Sequence, residues 1–316
     1  MTNFNPKEYF KKNNLVLAPM AGYSDIGFRH LCKSYGAGLV FTEMISAKAI
    51  LYNNEKTLQL MSMTDDEHPI ALQLFGNNAE DFERVLKRPE VEPFDVIDIN
   101  MGCPAPKIVK NGEGSALLEN IDLARTIIRS CVKTTSKPVS VKFRSGVDDN
   151  HIIAVAFAKM CEDEGASFIT FHPRTRMQGY AGHSDWELIK EVTNAVSIPV
   201  IASGDVLTNL DLNYLINECG ASAVMIGRGA VGRPEIFSEI QGKLKSPLTF
   251  EQKVEQIERH IEILRRFFSE SYISSEMKKH ILNYIKSIDG AIELKKQVAI
   301  VKDIDECVKL LRSHIN

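Results

Sequence analysis

No apolar run in the sequence approaches the length of a membrane-spanning helix. The opening residues, Met1-Thr2-Asn3-Phe4-Asn5-Pro6-Lys7, carry no apolar signal segment, so cytoplasmic residence is the expectation. The six cysteines (Cys32, Cys103, Cys131, Cys161, Cys219 and Cys307) include no Cys-x-x-Cys pair. Their scatter argues against a structural zinc site and against a disulfide framework. There is no low-complexity segment, no literal repeat and no separate dinucleotide fingerprint. Net charge is also scarce, at −3. Residues 1–240 hold 24 Lys and Arg against 30 Asp and Glu, whereas residues 241–316 hold 14 against 11. A mildly basic tail therefore follows a mildly acidic body, a weak hint of nucleic acid, since most such tails are solvated surface.

The chain has 316 residues, of which 44% are hydrophobic and 25% charged, ordinary values for a soluble globular protein. Eight short β-type runs recur, each followed by a helical pattern: Leu15–Ala18, Gly38–Phe41, Ile70–Leu74, Val96–Ile99, Val139–Lys142, Phe168–Phe171, Val200–Ala202 and Ala223–Ile226. They lack strict alternation, as parallel strands covered on both faces should. Eight such units predict a (β/α)8 TIM barrel of the α/β class over residues 1–244. A doubly wound open sheet is the competitor, and the even count favours closure. Beyond Pro234 the pattern turns helical, with Val254, Ile257, Ile261, Leu264 and Phe268 at helical spacing, then Met277, Ile281, Ile285 and Ile288, then Ile304, Val308 and Leu311. A small all-α domain over 245–316 follows, with Ser246-Pro247-Leu248-Thr249 as linker and helix cap.

Chemistry in a barrel enzyme gathers at the carboxyl ends of the strands. Here Pro19-Met20-Ala21-Gly22, Glu43, Gln73, Asn100 and Cys103, Lys142 and Arg144, His172 with Arg174 and Arg176, Ser203-Gly204-Asp205, and Gly227-Arg228-Gly229 fall at the eight successive ends. Polar or glycine-rich groups at every mouth predict a concave polar site. Cys103 sits in Asn100-Met101-Gly102-Cys103-Pro104-Ala105, just past a strand, as either a reactive thiol or an ordinary buried cysteine. The two small-residue turns after strands seven and eight suit a phosphorylated cofactor, with Arg228 adding charge-assisted bonds. Lys142 lies in an apolar strand, where an ammonium needs a partner. That partner is a neighbouring acid such as Glu43 or Asp98, or an electron-rich ring such as a flavin edge. His172 is a donor to cofactor or substrate, or a satisfied histidine at a strand end. Trp186 reads as a packing residue at a helix start capped by Asp185 or Ser184, and the other five cysteines read as structural.

The order of motifs carries a resemblance. Leu17-Ala18-Pro19-Met20-Ala21-Gly22, Asp98-Ile99-Asn100-Met101-Gly102-Cys103-Pro104, Gly114-Ser115-Ala116-Leu117-Leu118 and Val141-Lys142-Phe143-Arg144-Ser145-Gly146 are followed by His172-Pro173-Arg174-Thr175-Arg176, Ala202-Ser203-Gly204-Asp205 and Ile226-Gly227-Arg228-Gly229-Ala230. The chain resembles the bacterial tRNA-dihydrouridine synthases, closest to their B type. The resemblance implies an FMN-bearing barrel, a helical tRNA-binding domain, and reduction of a D-loop uridine in tRNA with NADPH or NADH. It implies that Pro19, Met20 and Ala21 line the flavin. Gln73 and Lys142 would bond its ring edge, His172 would approach the ring, and Ser203, Gly204, Asp205, Gly227 and Arg228 would hold the phosphate end. Cys103 would be the proton donor. Asn100, Arg144, Arg174, Arg176, Lys278, Lys279 and Lys286 are the residues expected to meet the RNA. No metal, membrane or obligate protein partner is expected. The tail departs from the family pattern, with Lys279-His280-Ile281-Leu282-Asn283-Tyr284 where Gly-Trp-Tyr usually follows the Lys-His pair. Two rivals remain: an FMN barrel acting on a free small molecule, and an RNA-binding module that keeps the barrel as a scaffold.

Overall fold

The computed structural model describes residues 4–286, 288 and 290–315, so the first three residues of the expected barrel range 1–244 lie outside it. Its strands are β1 (Leu15–Leu17), β2 (Val40–Phe41), β3 (Ile45–Ser46), β4 (Ile70–Phe75), β5 (Val96–Met101), β6 (Val139–Arg144), β7 (Phe168–His172), β8 (Val200–Ser203) and β9 (Ala223–Ile226). All pairings are parallel, in the order β1-β9-β8-β7-β6-β5-β4-β2, with short β3 extending the second strand position along β4. Closure comes from a parallel bridge between Val16 and Leu39, where the Leu17 N–H donates to the Leu39 carbonyl at 3.0 Å. The sheet is thus a closed cylinder, as the unit count predicted.

Alternation was present after all, hidden because both faces are buried. Outward-facing Ile97, Ile99, Met101, Val141, Phe143 and Phe171 pack under the surrounding helices. Inward-facing Val16, Leu39, Phe41, Ala71, Val96, Phe168, Ile201 and Ala223 form a separate apolar layer near the amino ends of the strands. Phe10, on the short helix Pro6–Phe10, stoppers that end, its ring edge-on to Phe168 at 5.4 Å. One step up each strand the inward residues turn polar: Gln73, Asp98, Ser140 and Thr170, all fully buried. Another step brings Asn100, Lys142, His172 and Ser203 to the open rim. The interior is a packed core at one end and a functional floor at the other.

After Ile240 the described chain is helical, in Phe250–Arg265, Glu270–Tyr284, Ala291–Ile300 and Ile304–Arg312. Thr249 begins the first with a capping box to Gln252. The third helix escaped the periodicity reading because only Leu294 and Val298 are buried on it, while Ile292 and Ile300 are exposed. These helices share a core with Ile26 and Leu31 of the helix Ile26–Ser34, so the tail is packed against the barrel. Asp25 ties the junction. Its Oδ1 caps that helix at Phe28 N–H (2.9 Å) and meets His260 Nε2 at 2.8 Å, and its Oδ2 lies 2.9 Å from His280 Nε2. These are ion-pair and hydrogen-bond lengths.

Gly232 sits at φ +72°, and a Cβ there would collide with the backbone of Asn283 on the second tail helix. Gly232→Ala should therefore cost about 2 kcal/mol or more through strain and overpacking. Urea unfolding checks this; unchanged stability would mean that the tail does not rest on Gly232.

Candidate active site

The turn bearing Cys103 is built from below. Asn100 Oδ1 accepts from the Gly102 N–H at 3.1 Å and the Cys103 N–H at 2.9 Å, and Asn100 Nδ2 donates to Gln73 Oε1 at 2.9 Å. Gln73 Nε2 donates to Asp98 at 2.7 Å and the Ser140 hydroxyl donates to the same carboxylate at 2.6 Å. On the other side the Ser115 N–H donates to the Cys103 carbonyl at 3.1 Å. Gly114, at φ +60°, brings the chain so close that a Cβ would stand 2.9 Å from that carbonyl oxygen. The thiol therefore rides on a fixed base. Burial pushes it up, against partial opposition from the Ala105 N–H, Arg144 and Lys142, so it is protonated at neutral pH. Cys103 is partly exposed, whereas Cys32, Cys131, Cys161, Cys219 and Cys307 are buried, as their structural reading required.

Lys142 pairs in register with Asn100 across β5 and β6. Neither acid weighed as its partner lies at ion-pair distance, although Asp98 attracts Lys142 from further off. Asp98 is taken by Gln73 and Ser140, and Glu43 accepts from the Gly22 N–H. Among the described residues Lys142 forms no ion pair, and the Thr170 hydroxyl beside it has no hydrogen-bond partner. Burial lowers Lys142 to about 8, Arg144 adding to the effect, and burial raises Asp98 to about 7. His172 is held well below its ordinary value, first by burial and then by Lys142, Arg144, Arg174 and Arg228. It is neutral at pH 7, and Arg174 donating to its Nε2 at 3.4 Å places the remaining proton on Nδ1.

A cleft of about 870 Å³ opens over this floor. Pro19, Met20, Lys142, His172, Ser203, Gly204, Asp205, Gly227 and Arg228 line it, together with Lys286 of the tail. Ala21 is exposed beside the cleft and Gln73 lies beneath it, its amide engaged by Asp98 and Asn100. Gly227 has no side chain where a Cβ would meet Ala18 Cβ at 3.4 Å and Met20 Sδ at 3.7 Å. Trp186 packs as expected behind its Asp185 cap, and its indole N–H also fixes the Gly204 carbonyl at 3.1 Å.

The residues expected to meet RNA divide into two sets. Arg144 and Arg174, 2% and 1% exposed, are turned inward. A buried guanidinium needs acceptors, and both find them in the loops after β5, β7 and β8. Arg144 donates to the Gly102, Thr175 and Gly179 carbonyls at 2.9, 3.1 and 2.8 Å. Arg174 donates to the Ala181 and Gly182 carbonyls, to the Ser184 hydroxyl, and to Asp205 at 2.7 Å. They are braces of the site wall. Arg176 pairs with Glu119 on the rim. Lys278 reaches only the Ala299 carbonyl at 3.4 Å, away from the cleft. Lys279 pairs with Glu276 and points its Nζ at Gly22, while Lys286 reaches the Val231 carbonyl at 3.4 Å. Sequence reading missed Tyr180, whose ring meets Arg144 at 5.3 Å and Arg228 at 4.9 Å. It also missed Asp25 and its two histidines, which share no sequence neighbourhood.

No described helix is long and apolar enough to cross a membrane. The family model for dihydrouridine synthase (Dus) matches residues 16–316. A protein of Rickettsia bellii named probable tRNA-dihydrouridine synthase is 36% identical over 314 residues, 96% of each chain. The tRNA-dihydrouridine synthase B of Vibrio vulnificus is 36% identical over 293 residues, 91% of each. Among solved structures, histamine dehydrogenase from Rhizobium sp. 4-9 superposes with a TM-score of 0.59 at 13% identity, covering 80% of this chain and 49% of that one. An old yellow enzyme homologue from Zymomonas mobilis gives 0.53 at 15%, covering 75% and 90%. Those two likenesses speak for the barrel alone. From residue 16 through the helical tail, the chain belongs to the bacterial dihydrouridine synthase family, alongside enzymes of the B type.

Proposed function

We propose that the protein reduces the 5,6 double bond of a D-loop uridine in tRNA, with FMN as its bound cofactor and NADPH or NADH as reductant, in the cytoplasm. One observation carries this reading: a protonated thiol on a rigid turn and a lysine that forms no ion pair among the described residues both lie at the open end of a barrel. The residues fit FMN. Lys142 offers a cation, and the Thr170 hydroxyl an unmet hydrogen bond, where an electron-rich ring edge would satisfy them. Gln73 keeps one amide N–H beyond its bond to Asp98 for the same edge. At Gly227 any side chain would fill the cradle, and the turn at Ser203, Gly204 and Asp205, with Arg228, supplies donors for a phosphate.

Reduced FMN, when bound, supplies the hydride that adds to C6 of the uracil. Negative charge then grows on C5 and O4, because the double bond is conjugated to the C4 carbonyl. Cys103 holds the proton that C5 takes: the S–H bond breaks, a C5–H bond forms, and the sulfur is left as thiolate facing Lys142 and Arg144. Water returns the proton. The uridine must leave its stack to enter the cleft, which fits a single-stranded loop better than a duplex. The tail over 245–316 is the proposed tRNA grip, with Lys279 and Lys286 at the mouth, Lys278 away from the cleft, and Arg176 of the barrel on the rim. The deciding experiment incubates purified protein with unmodified tRNA and NADPH and reads dihydrouridine by mass spectrometry. Turnover of free uridine at the rate of tRNA would favour the small-molecule rival instead.

Lys142 gives the reading a pH signature. Its protonated form binds the ring edge, and its value near 8 means the charge is lost as pH rises through that point. FMN affinity should fall between pH 7 and 9, and Lys142→Met should flatten the profile. Equal slopes in both proteins would remove Lys142 from the flavin site.

A further inference from the structure

Arg228 lines the phosphate end of the cleft with its side chain 56% exposed. An exposed arginine with nothing to hold it must lose its side-chain entropy on binding. Two neighbours already restrain it. Asp205 holds its Nη2 at 3.3 Å, and the Tyr180 ring lies 4.9 Å from its guanidinium carbon. Tyr180 is itself held, although exposed. Arg144 lies against the same ring at 5.3 Å and bonds the Gly179 carbonyl, while Arg174 bonds the carbonyls of Ala181 and Gly182. The ring therefore stands on a backbone clamped on both sides by two buried cations.

We infer that Tyr180 is a positioning residue for Arg228, holding its guanidinium at the phosphate end so that the cleft selects a phosphorylated flavin over an unphosphorylated one. This rests on the flavin reading above. Asp205 cannot do the task alone: its carboxylate is shared with Arg174 and repels a phosphate, whereas an aromatic face attracts the cation and leaves its N–H groups free.

The test titrates apo-protein with FMN and, separately, with riboflavin, following flavin fluorescence. Tyr180→Ala should weaken FMN binding about three- to tenfold, the range of a partly exposed cation–π contact, and leave riboflavin within twofold. Tyr180→Phe keeps the ring and should keep the preference. Arg228→Met should show a larger FMN-selective loss, and adding Tyr180→Ala to it should cost nothing more. Equal loss for both flavins in Tyr180→Ala would make the residue a mere wall and overturn the inference, as would full additivity with Arg228→Met or no loss at all. If the unaltered protein binds neither flavin, the functional reading falls first and takes this one with it.

Discussion

Cys103→Ala should bind FMN as the unaltered protein does and should form dihydrouridine about a thousandfold more slowly, in the range expected for loss of a positioned general acid. The physical reason is local. His172 is neutral and engaged by Arg174, and the proposed reading gives Lys142 to binding the ring edge and Arg144 to the wall, which leaves the thiol as the assigned proton source. Reduction of bound flavin by NADPH does not involve C5, so that half of the reaction should survive at its normal rate. Separating the halves by stopped flow makes the test specific. A serine at 103 keeps the shape but holds its proton far more tightly, so Cys103→Ser should resemble the alanine variant. Dihydrouridine formation within tenfold of normal in both variants would remove the thiol from the mechanism.

The sequence made the cylinder legible because each unit announces itself by an apolar run followed by a helical period, and because the run ends in a polar residue. Cys103, Lys142, His172 and Arg228 could be placed at one rim on that ground alone. What stayed hidden was direction. Arg144 and Arg174 sit at the same strand ends as Lys142, yet they turn into the wall because five loop carbonyls and Asp205 wait there. No spacing rule reports which acceptors a loop offers. Phe10 escaped for a related reason: a single ring on a one-turn helix has no period.

Asp25→Ala should cost about 3 kcal/mol of stability, among the larger effects of any single substitution outside the apolar cores. It removes a helix cap and the carboxylate shared by two buried histidines on different tail helices. Burial pushes Asp25 up, but His260 and His280 together outweigh it and hold the acid well below its usual range. A depressed acid contributes stability that is present above its unfolded value of ~3.9 and is lost as pH falls through the folded one. Asp25→Asn keeps the cap acceptor and should lie between. The readouts are urea unfolding and hydrogen exchange, with faster exchange concentrated in Phe250–Arg265 and Glu270–Tyr284. Exchange that rises evenly over the barrel, or a midpoint matching the unaltered protein, would mean that the tail is held by its apolar contacts alone.

Among the described residues, the stopper at Phe10 leaves the carboxyl-end rim as the doorway to the cylinder. On the proposed reading, a hydride donor and a nucleobase that need the same ring would have to take turns at it, and whichever lingered would set the pace for the other. Bulk at the rim is therefore a matter of traffic as much as of grip, and the tail that leans over that rim shapes how quickly one visitor makes way for the next.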